Sequence, residues 1–235
     1  MGYAPENTLT SFALAVEQGA DLIEFDIHLS RDGELIVMHD AEIARTCDGN
    51  GLIKNLTLAK IKRLDAGVKF DAWFRGERVP TLSEVLDWAK QLIPLVIEIK
   101  GDPLPPVGIG EKLIRTLTDF AMLDQVVITS FYHPALRRVK ELEPRLATGL
   151  NYTGQLVDTV GAARATMADS VWPTWSYWTH EIADEVHRAG LAAGSWSADN
   201  QTVADYLLSL GLDALGSNYP DRLRAYVDHA GLGRR

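Results

Sequence analysis

The sequence predicts an α/β fold, a (β/α)8 TIM barrel whose first strand is missing from the chain, from three observations. Short apolar segments typical of strands alternate with amphipathic segments typical of helices over almost all of the 235 residues. The first helical segment, from about Thr8 to Gln18, has no strand before it. Acidic residues fall at the carboxyl ends of strands, where barrel enzymes keep their active sites. The alternative is an open doubly wound sheet, but no glycine-rich dinucleotide-binding loop follows any predicted strand.

Seven segments have the length and composition of barrel strands. They are, in order, residues 21–29 (DLIEFDIHL), 95–100 (LVIEIK), 126–131 (VVITSF), 147–152 (ATGLNY), 169–173 (DSVWP), 192–197 (AAGSWS) and 213–217 (DALGS). A barrel of eight strands therefore lacks one, and the helix that no strand precedes indicates that the missing strand is the first.

The helices between these strands have recognisable amino-terminal ends. Thr81, followed three residues later by a glutamate, matches the capping-box pattern. Thr57 is a candidate N-cap for a helix over 58–64, and Asn200 is a candidate N-cap for the helix that follows the sixth predicted strand.

Residues 34–80 interrupt the alternation and predict a small insertion after the first visible strand. The segment begins with ELIVMHD, a candidate hairpin or short strand at 34–38 that ends on His39 and Asp40. Apart from this insertion, we expect residues 1–235 to form a single domain, because the length suits one hydrophobic core.

Composition and charge exclude several classes of function. Apolar residues make up 46% of the chain and charged residues 23%, the balance of an ordinary globular protein. The net charge of −9, with no Lys/Arg cluster beyond Arg137, Arg138 and Lys140 on one predicted helix face, argues against a nucleic-acid partner. No apolar run reaches the roughly 18 residues typical of a membrane helix, and no signal peptide is visible, so we expect a cytoplasmic location and no stable membrane insertion. Cys47 is the only cysteine, which rules out an internal disulfide.

Three acidic side chains suggest a metal site. In IEFDIHL, alternation along a strand places Glu24, Asp26 and His28 on one face. Two carboxylates one strand repeat apart repel each other at low dielectric unless a cation or a proton joins them. Glu98 lies among apolar residues, where an unpaired charge is costly to bury. Three oxygen ligands favour Mg²⁺ or Ca²⁺ over zinc, whereas the alternative for Glu24 and Asp26 is a solvent-facing polar stripe.

Three further side chains are candidates for the chemistry around such a site. His39 precedes Asp40, which would fix the imidazole tautomer or raise its basicity if the two meet in the fold, and a structural histidine is the alternative. Lys100 shares a strand face with Glu98 and is a phosphate contact, a partner of Glu98 or a solvated charge. Trp196 stands at a strand end and either lines a pocket or packs into the core.

A series of motifs runs in order along the chain. They are APENTLTSF (4–12), GADLIEFDIHLSRDGELIVMHD (19–40), RTCDGNG (45–51), LTLAKIKRLDAG (56–67), RGERVPTLSEVL (75–86), EIK (98–100), SF (130–131), the strand of Trp196 and GLDALGSNYPD (211–221). With these motifs in this order, the sequence resembles the glycerophosphodiester phosphodiesterase family over essentially its full length.

The resemblance implies a metal-dependent phosphodiesterase on a (β/α)8 barrel, which splits a small-molecule glycerophosphodiester into glycerol 3-phosphate and an alcohol. By position it implies roles for six residues: the metal ligands Glu24, Asp26 and Glu98, the acid/base histidine His39, the phosphate contact Lys100 and the pocket wall Trp196. The implied cofactor is a divalent cation, Mg²⁺ or Ca²⁺.

The chain departs from the family's pattern at its start. That pattern opens with a strand ending in His-Arg-Gly, and this chain begins at Met1, just after it. The resemblance makes the missing histidine the partner of His39 and the missing arginine a phosphate ligand. One hypothesis is that Met1 is an internal methionine or a boundary within an ordinary enzyme. A second is a degenerate barrel that binds metal or phosphoester with negligible turnover, with His28 as a poor substitute. A third changes the substrate to lysophospholipids, as in related barrels.

Overall fold

The structure, a computed structural model, describes residues 2–101 and 103–231, and the strands within these ranges form one curved sheet. They are β1 (Ile23–Leu29), β2 (Leu35–Val37), β3 (Leu95–Ile99), β4 (Val126–Ser130), β5 (Ala147–Tyr152), β6 (Ser170–Pro173), β7 (Ala192–Ser195) and β8 (Ala214–Leu215). Their order across the sheet is β2-β1-β3-β4-β5-β6-β7-β8, with β2 antiparallel to β1 and the other neighbours parallel. The predicted α/β barrel fold and all seven predicted strands are confirmed. The predicted domain limits at Met1 and Arg235 lie outside the described residues.

Helices connect the strands. The α-helices of the described ranges are α1 (Leu9–Glu17), α2 (Leu58–Ile61), α3 (Leu82–Ala89), α4 (Ile109–Asp119), α5 (His133–Leu142), α6 (Thr159–Thr166), α7 (His180–Arg188), α8 (Gln201–Ser209) and α9 (Pro220–His229). Short 3₁₀ turns occupy Ile43–Arg45, Ile53–Asn55, Ala72–Phe74, Leu123–Gln125 and Trp175–Tyr177. Across residues 2–101 and 103–231, none of these helices combines the length and the apolar character that crossing a bilayer requires.

Two of the three predicted helix starts are confirmed in detail. Thr81 forms the capping box of α3, and the Asn200 side chain caps α8. The helix after Thr57 was expected over 58–64, but α2 has only four residues and Thr57 makes no side-chain capping bond. The chain turns soon after α2 because the Asp65 carboxylate accepts backbone N–H groups from the residues that follow it.

The barrel wall is open between β8 and β1. In the described part of the chain, β8 pairs with β7 alone, whereas β1 pairs with β2 and β3. A cleft of about 870 Å³ runs through the opening, with Leu14 of α1 and Leu223 of α9 among its walls. Arg224 of α9 crosses to the other side, where Nε and Nη2 donate to the Gly19 carbonyl at 3.2 Å. The opening lies where the sequence predicts the missing first strand.

Two clusters of buried apolar side chains share strand β2. Leu35 and Val37 belong to the main core, whereas Ile36 and Met38 belong to a smaller cluster inside the predicted insertion. This division follows from the alternation of side chains along a strand. Cys47 is a buried free thiol in the smaller cluster. The segment that carries His39 therefore has an apolar core of its own, joined to the barrel through β2.

Trp172 of β6 fills part of the barrel interior between two glycines. A Cβ added to Gly149 in β5 would lie 2.5 Å from Trp172 Cδ1, and a Cβ added to Gly194 in β7 would lie 2.4 Å from its Cδ2. Both distances are far below van der Waals contact, so only glycine leaves room for the indole. Small and large residues alternate in this way to fill small barrels.

We expect Gly194→Ala to destabilise the protein by about 1–3 kcal/mol, because overpacking a filled interior forces side chains off their preferred rotamers. The matched control is Gly110→Ala in α4, where the new Cβ would lie 3.5 Å from Val139, an ordinary contact. Alanine is also favoured over glycine inside a helix, so the control should be neutral or stabilising. Urea denaturation measures both, and a Gly194→Ala variant as stable as the parent would contradict this account of the packing.

Candidate active site

Three carboxylates meet where β1 and β3 run side by side. The two strands are parallel, and their register sets Asp26 directly opposite Glu98. Glu24 lies one strand repeat before Asp26 and shares its face. One oxygen from each of Glu24, Asp26 and Glu98 lies within 4.8 Å of the other two. Asp26 and Glu98 are buried, at 4% and 7% exposed, whereas Glu24 borders the cleft. The solvent-facing stripe considered as the alternative is therefore wrong for Asp26.

The Lys100 ammonium lies between two of these carboxylates. Its Nζ is 3.0 Å from Asp26 Oδ1 and 2.9 Å from Glu98 Oε1. Burial alone would lower the pKa of Lys100, but attraction to Asp26 and Glu98 outweighs it and raises that pKa. Lys100 is therefore charged and offsets part of the negative charge of the cluster.

The three carboxylates still repel one another in spite of the charge on Lys100. Glu24 is exposed to the solvent of the cleft. Desolvation by the cleft and, after it, repulsion from Asp26 and Glu98 nevertheless raise the pKa of Glu24. Burial likewise raises the pKa of Glu98, against the attraction of Lys100. Three hard oxygen donors this close together fit a divalent cation such as Mg²⁺ or Ca²⁺, whose charge would relieve the repulsion.

Two asparagines outside the predicted set of site residues orient the buried carboxylates. Asn7 Nδ2 donates to Asp26 Oδ2 at 3.0 Å, and the Asp26 backbone N–H donates back to Asn7 Oδ1 at 3.3 Å. Asn151 Nδ2 in β5 donates to Glu98 Oε2 at 3.2 Å. Asn151 is 5% exposed and stands between Leu150 and Tyr152 in β5, and a polar residue between two large apolar ones was the available signal. The signal for Asn7 was its place in the APENTLTSF motif.

His39 follows β2 and lines the same cleft. Its Nδ1 lies 2.6 Å from Asp40 Oδ1, and the Arg45 guanidinium binds the other Asp40 oxygen. The hydrogen bond from Arg45, with a further one from His39, lowers the pKa of Asp40 to about 2. Asp40 is therefore an ionised acceptor at neutral pH, so Nδ1 of His39 carries the hydrogen and Nε2 is the acceptor in the neutral imidazole.

His28 shares a strand face with the carboxylates, but its ring has another partner. The side chain is 7% exposed, and Nε2 donates to the backbone carbonyl of His39 at 3.1 Å. Burial lowers the pKa of His28, which keeps the ring neutral in this setting. His28 holds the backbone of His39 and is not among the described residues that line the cleft.

Aromatic side chains line part of the same cleft. Trp196 Nε1 donates to the Trp172 carbonyl at 3.0 Å, and the Phe131 ring meets the Trp196 ring edge-on at 5.8 Å and 79°. All six residues singled out from the sequence line this one cleft: Glu24, Asp26, His39, Glu98, Lys100 and Trp196. Their individual roles stay predictions.

We expect Glu24→Gln to raise the melting temperature of the metal-free protein at pH 8, and to raise it less at pH 5. Because the folded protein raises the pKa of Glu24, ionisation of this group opposes folding above that raised pKa. The penalty disappears as the pH falls through the folded value to the unfolded value of about 4.3. Calorimetry in EDTA measures the difference, with Glu185→Gln on the exposed face of α7 as the control. A lower melting temperature at pH 8 would rule out the proposed repulsion.

Comparison with known proteins gives a consistent result. Residues 1–222 match the family described as the Glycerophosphoryl diester phosphodiesterase family. The chain is 38% identical to a glycerophosphodiester phosphodiesterase of Caldanaerobacter subterraneus, over 97% of this chain and 94% of the relative. It is 35% identical to a glycerophosphodiester phosphodiesterase of Bacillus subtilis, over 94% of this chain and 81% of the relative.

Solved structures agree with the sequence relatives. The structure of an Oleispira antarctica phosphodiesterase in complex with the product sn-glycerol-3-phosphate matches this fold with a TM-score of 0.87 and 30% identity, over 97% of this chain and 93% of that chain. A glycerophosphodiester phosphodiesterase structure from Agrobacterium tumefaciens matches with a TM-score of 0.83 and 26% identity, over 95% of this chain and 94% of that chain. Together with the site geometry, these matches show that the chain belongs to the glycerophosphoryl diester phosphodiesterase family of enzymes.

Proposed function

We propose that this protein hydrolyses glycerophosphodiesters to glycerol 3-phosphate and an alcohol, in a reaction that depends on Mg²⁺ or Ca²⁺. The observation that carries the proposal is the meeting of three carboxylates within 4.8 Å, beside a lysine and a histidine, on one cleft. The product bound to the Oleispira antarctica phosphodiesterase supports a small-molecule substrate of this class.

We further propose a single domain, a cytoplasmic location and no nucleic-acid partner. The net charge of −9 supports the last of these, because binding to a phosphate backbone needs a basic surface.

In this proposal Glu24, Asp26 and Glu98 hold the divalent cation. A bound cation would neutralise charge on a phosphate oxygen and so favour attack by water. Lys100, already charged and between two of the carboxylates, would give up part of those contacts to reach a phosphate oxygen of the substrate. Trp196, with Phe131 against it, would form an apolar wall for the organic part of the diester.

Hydrolysis joins a water oxygen to phosphorus, breaks the bond from phosphorus to the alcohol oxygen, and moves a proton from the water to that alcohol. His39 suits one of the two proton transfers, because Asp40 holds the hydrogen on Nδ1 and Nε2 is left as the acceptor. A partner histidine from a strand ending in His-Arg-Gly, placed ahead of residue 2 as the family resemblance implies, would serve the other transfer.

The second candidate function is binding of metal and phosphoester without turnover. It is favoured by one observation: His39 is the only histidine among the described residues that line the cleft. The His28 ring is engaged with the His39 carbonyl, which leaves it poorly placed to act as the second proton-transfer group.

The deciding experiment assays glycerol 3-phosphate release from glycerophosphocholine in Mg²⁺, Ca²⁺ or EDTA. The 235-residue chain is compared with a form extended at its amino terminus by a strand ending in His-Arg-Gly. Hydrolysis by the extended form alone, abolished by EDTA, is the expected result. Equal activity of the 235-residue chain would refute the need for a second histidine. Metal binding by both forms without hydrolysis would favour the binding function, and release of choline from lysophosphatidylcholine alone would reassign the substrate.

We expect His39→Gln to lower kcat of the active form by roughly 10²- to 10⁴-fold, the usual loss when a proton-transfer group is removed. KM for glycerophosphocholine should change little, because the carboxylates, Lys100 and Trp196 are untouched. The control is His229→Gln at the exposed end of α9, which should leave the steady-state kinetics as they are. Unchanged kcat in His39→Gln would remove His39 from the mechanism.

A further inference from the structure

A network of charged side chains runs from the start of the chain to the His39 imidazole. The Arg45 guanidinium binds both carboxylate oxygens of Glu6, with Nη1 2.8 Å from Oε2 and Nη2 2.5 Å from Oε1. The third donor of the same guanidinium, the Nε–H group, binds Asp40 Oδ2. The other Asp40 oxygen, Oδ1, accepts from His39 Nδ1 at 2.6 Å. One guanidinium therefore joins two carboxylates, and His39 completes the series.

The geometry of this network requires an arginine. A guanidinium presents its N–H donors in a fixed planar fork, so three of them can bind two carboxylates at once. A lysine ammonium is a point charge and cannot reproduce the two-oxygen contact with Glu6. The Glu6 side chain is only 12% exposed, whereas that of Arg45 is 46% exposed, so Glu6 is the more enclosed partner.

The charged network restrains the imidazole ring of His39, which the contacts to the His39 backbone leave free to rotate. Its backbone is held by the end of β2 and by the hydrogen bond from His28 to its carbonyl. Its side chain is 46% exposed and can rotate unless Asp40 holds the ring. Asp40 in turn is 33% exposed, on a short side chain next to His39, and Arg45 is the group that fixes its orientation.

We propose that Arg45, clamped by Glu6, is a positioning residue for the reaction, which acts on His39 through Asp40. The proposal rests on the proposed function, because it assigns Arg45 to the proton transfer that His39 performs. Arg45 touches neither the carboxylate cluster nor any cleft-lining aromatic, and its effect passes through the orientation and tautomer of the imidazole. Displacement of a reacting group by about 1 Å commonly costs on the order of 10²-fold in rate.

The test compares Arg45→Gln, Arg45→Lys and Glu6→Gln with the parent, in whichever form of the chain hydrolyses glycerophosphocholine. We expect kcat to fall about 10- to 100-fold in Arg45→Gln, with KM nearly unchanged, and to fall nearly as far in Arg45→Lys. The double variant Arg45→Gln with Asp40→Asn should lose no more than Asp40→Asn alone, since both changes break one series of contacts. Arg137→Gln, which breaks an exposed ion pair with Glu141 on α5, is the matched control.

A merely structural role for Arg45 would give a different pattern, which NMR and melting temperatures can separate. The carboxyl carbon of Asp40 should titrate near pH 2 in the parent and at a clearly higher pH in Arg45→Gln, toward the unperturbed value of about 3.9, because only the contact with His39 is left to lower the pKa. The Nδ1 proton of His39 should give a hydrogen-bonded resonance in the parent that broadens or disappears in the variant. A loss of melting temperature with both signals unmoved, an additive double variant or an unchanged kcat would each overturn the proposal.

The same measurements distinguish a failure of the proposed function from a failure of the positioning role of Arg45. If no form of the chain hydrolyses the diester, the function fails. The Asp40 titration and the His39 resonance then still show whether Arg45 and Glu6 hold the pair. If hydrolysis is normal and Arg45→Gln is as active as the parent, only the positioning role fails.

Discussion

The parallel pairing of β1 with β3 is the constraint on which the rest of the site depends. It sets Asp26 opposite Glu98 and leaves Lys100, just past the end of β3, within 3.0 Å of both. A slip of β3 by one residue would turn Glu98 and Lys100 to the other face of the sheet, away from Asp26. The pairing thus concentrates negative charge at one buried point, and the protein offsets that charge only in part with Lys100. What remains is an unfavourable site that a divalent cation would complete.

The second element that organises the site is the short N-terminal segment before α1. Glu6 holds Arg45, and through it Asp40 and His39, whereas the next residue, Asn7, holds Asp26. Two consecutive residues therefore contact both halves of the site, the carboxylates on the barrel wall and the histidine on the insertion. Their fixed separation along the backbone couples the position of His39 to the position of the three carboxylates.

Much of this arrangement could be predicted from the sequence, because its signals are local. Alternation along one strand predicts that Glu24 and Asp26 share a face, and the apolar setting of Glu98 predicts burial. Contacts between distant residues carry no such signal. The Glu6–Arg45 pair spans 39 residues, and nothing in the spacing predicts that they meet. Asn151 reaches Glu98 only because β3, β4 and β5 lie side by side in the sheet. Helix α2 is shorter than the sequence predicts because side-chain contacts within the insertion outweigh local helix propensity.

Strand β2 also limits how the protein can be rearranged by evolution or engineering. Its three residues contribute alternately to two apolar cores, so the insertion is not a module that can be exchanged with cuts on either side. A chimaera that carries a relative's insertion would have to match Ile36 to the incoming core and Leu35 and Val37 to the resident one. Loops beyond the smaller cluster are free of this double requirement. Sequence changes should therefore be tolerated most easily in those loops, while the strand that precedes His39 stays fixed.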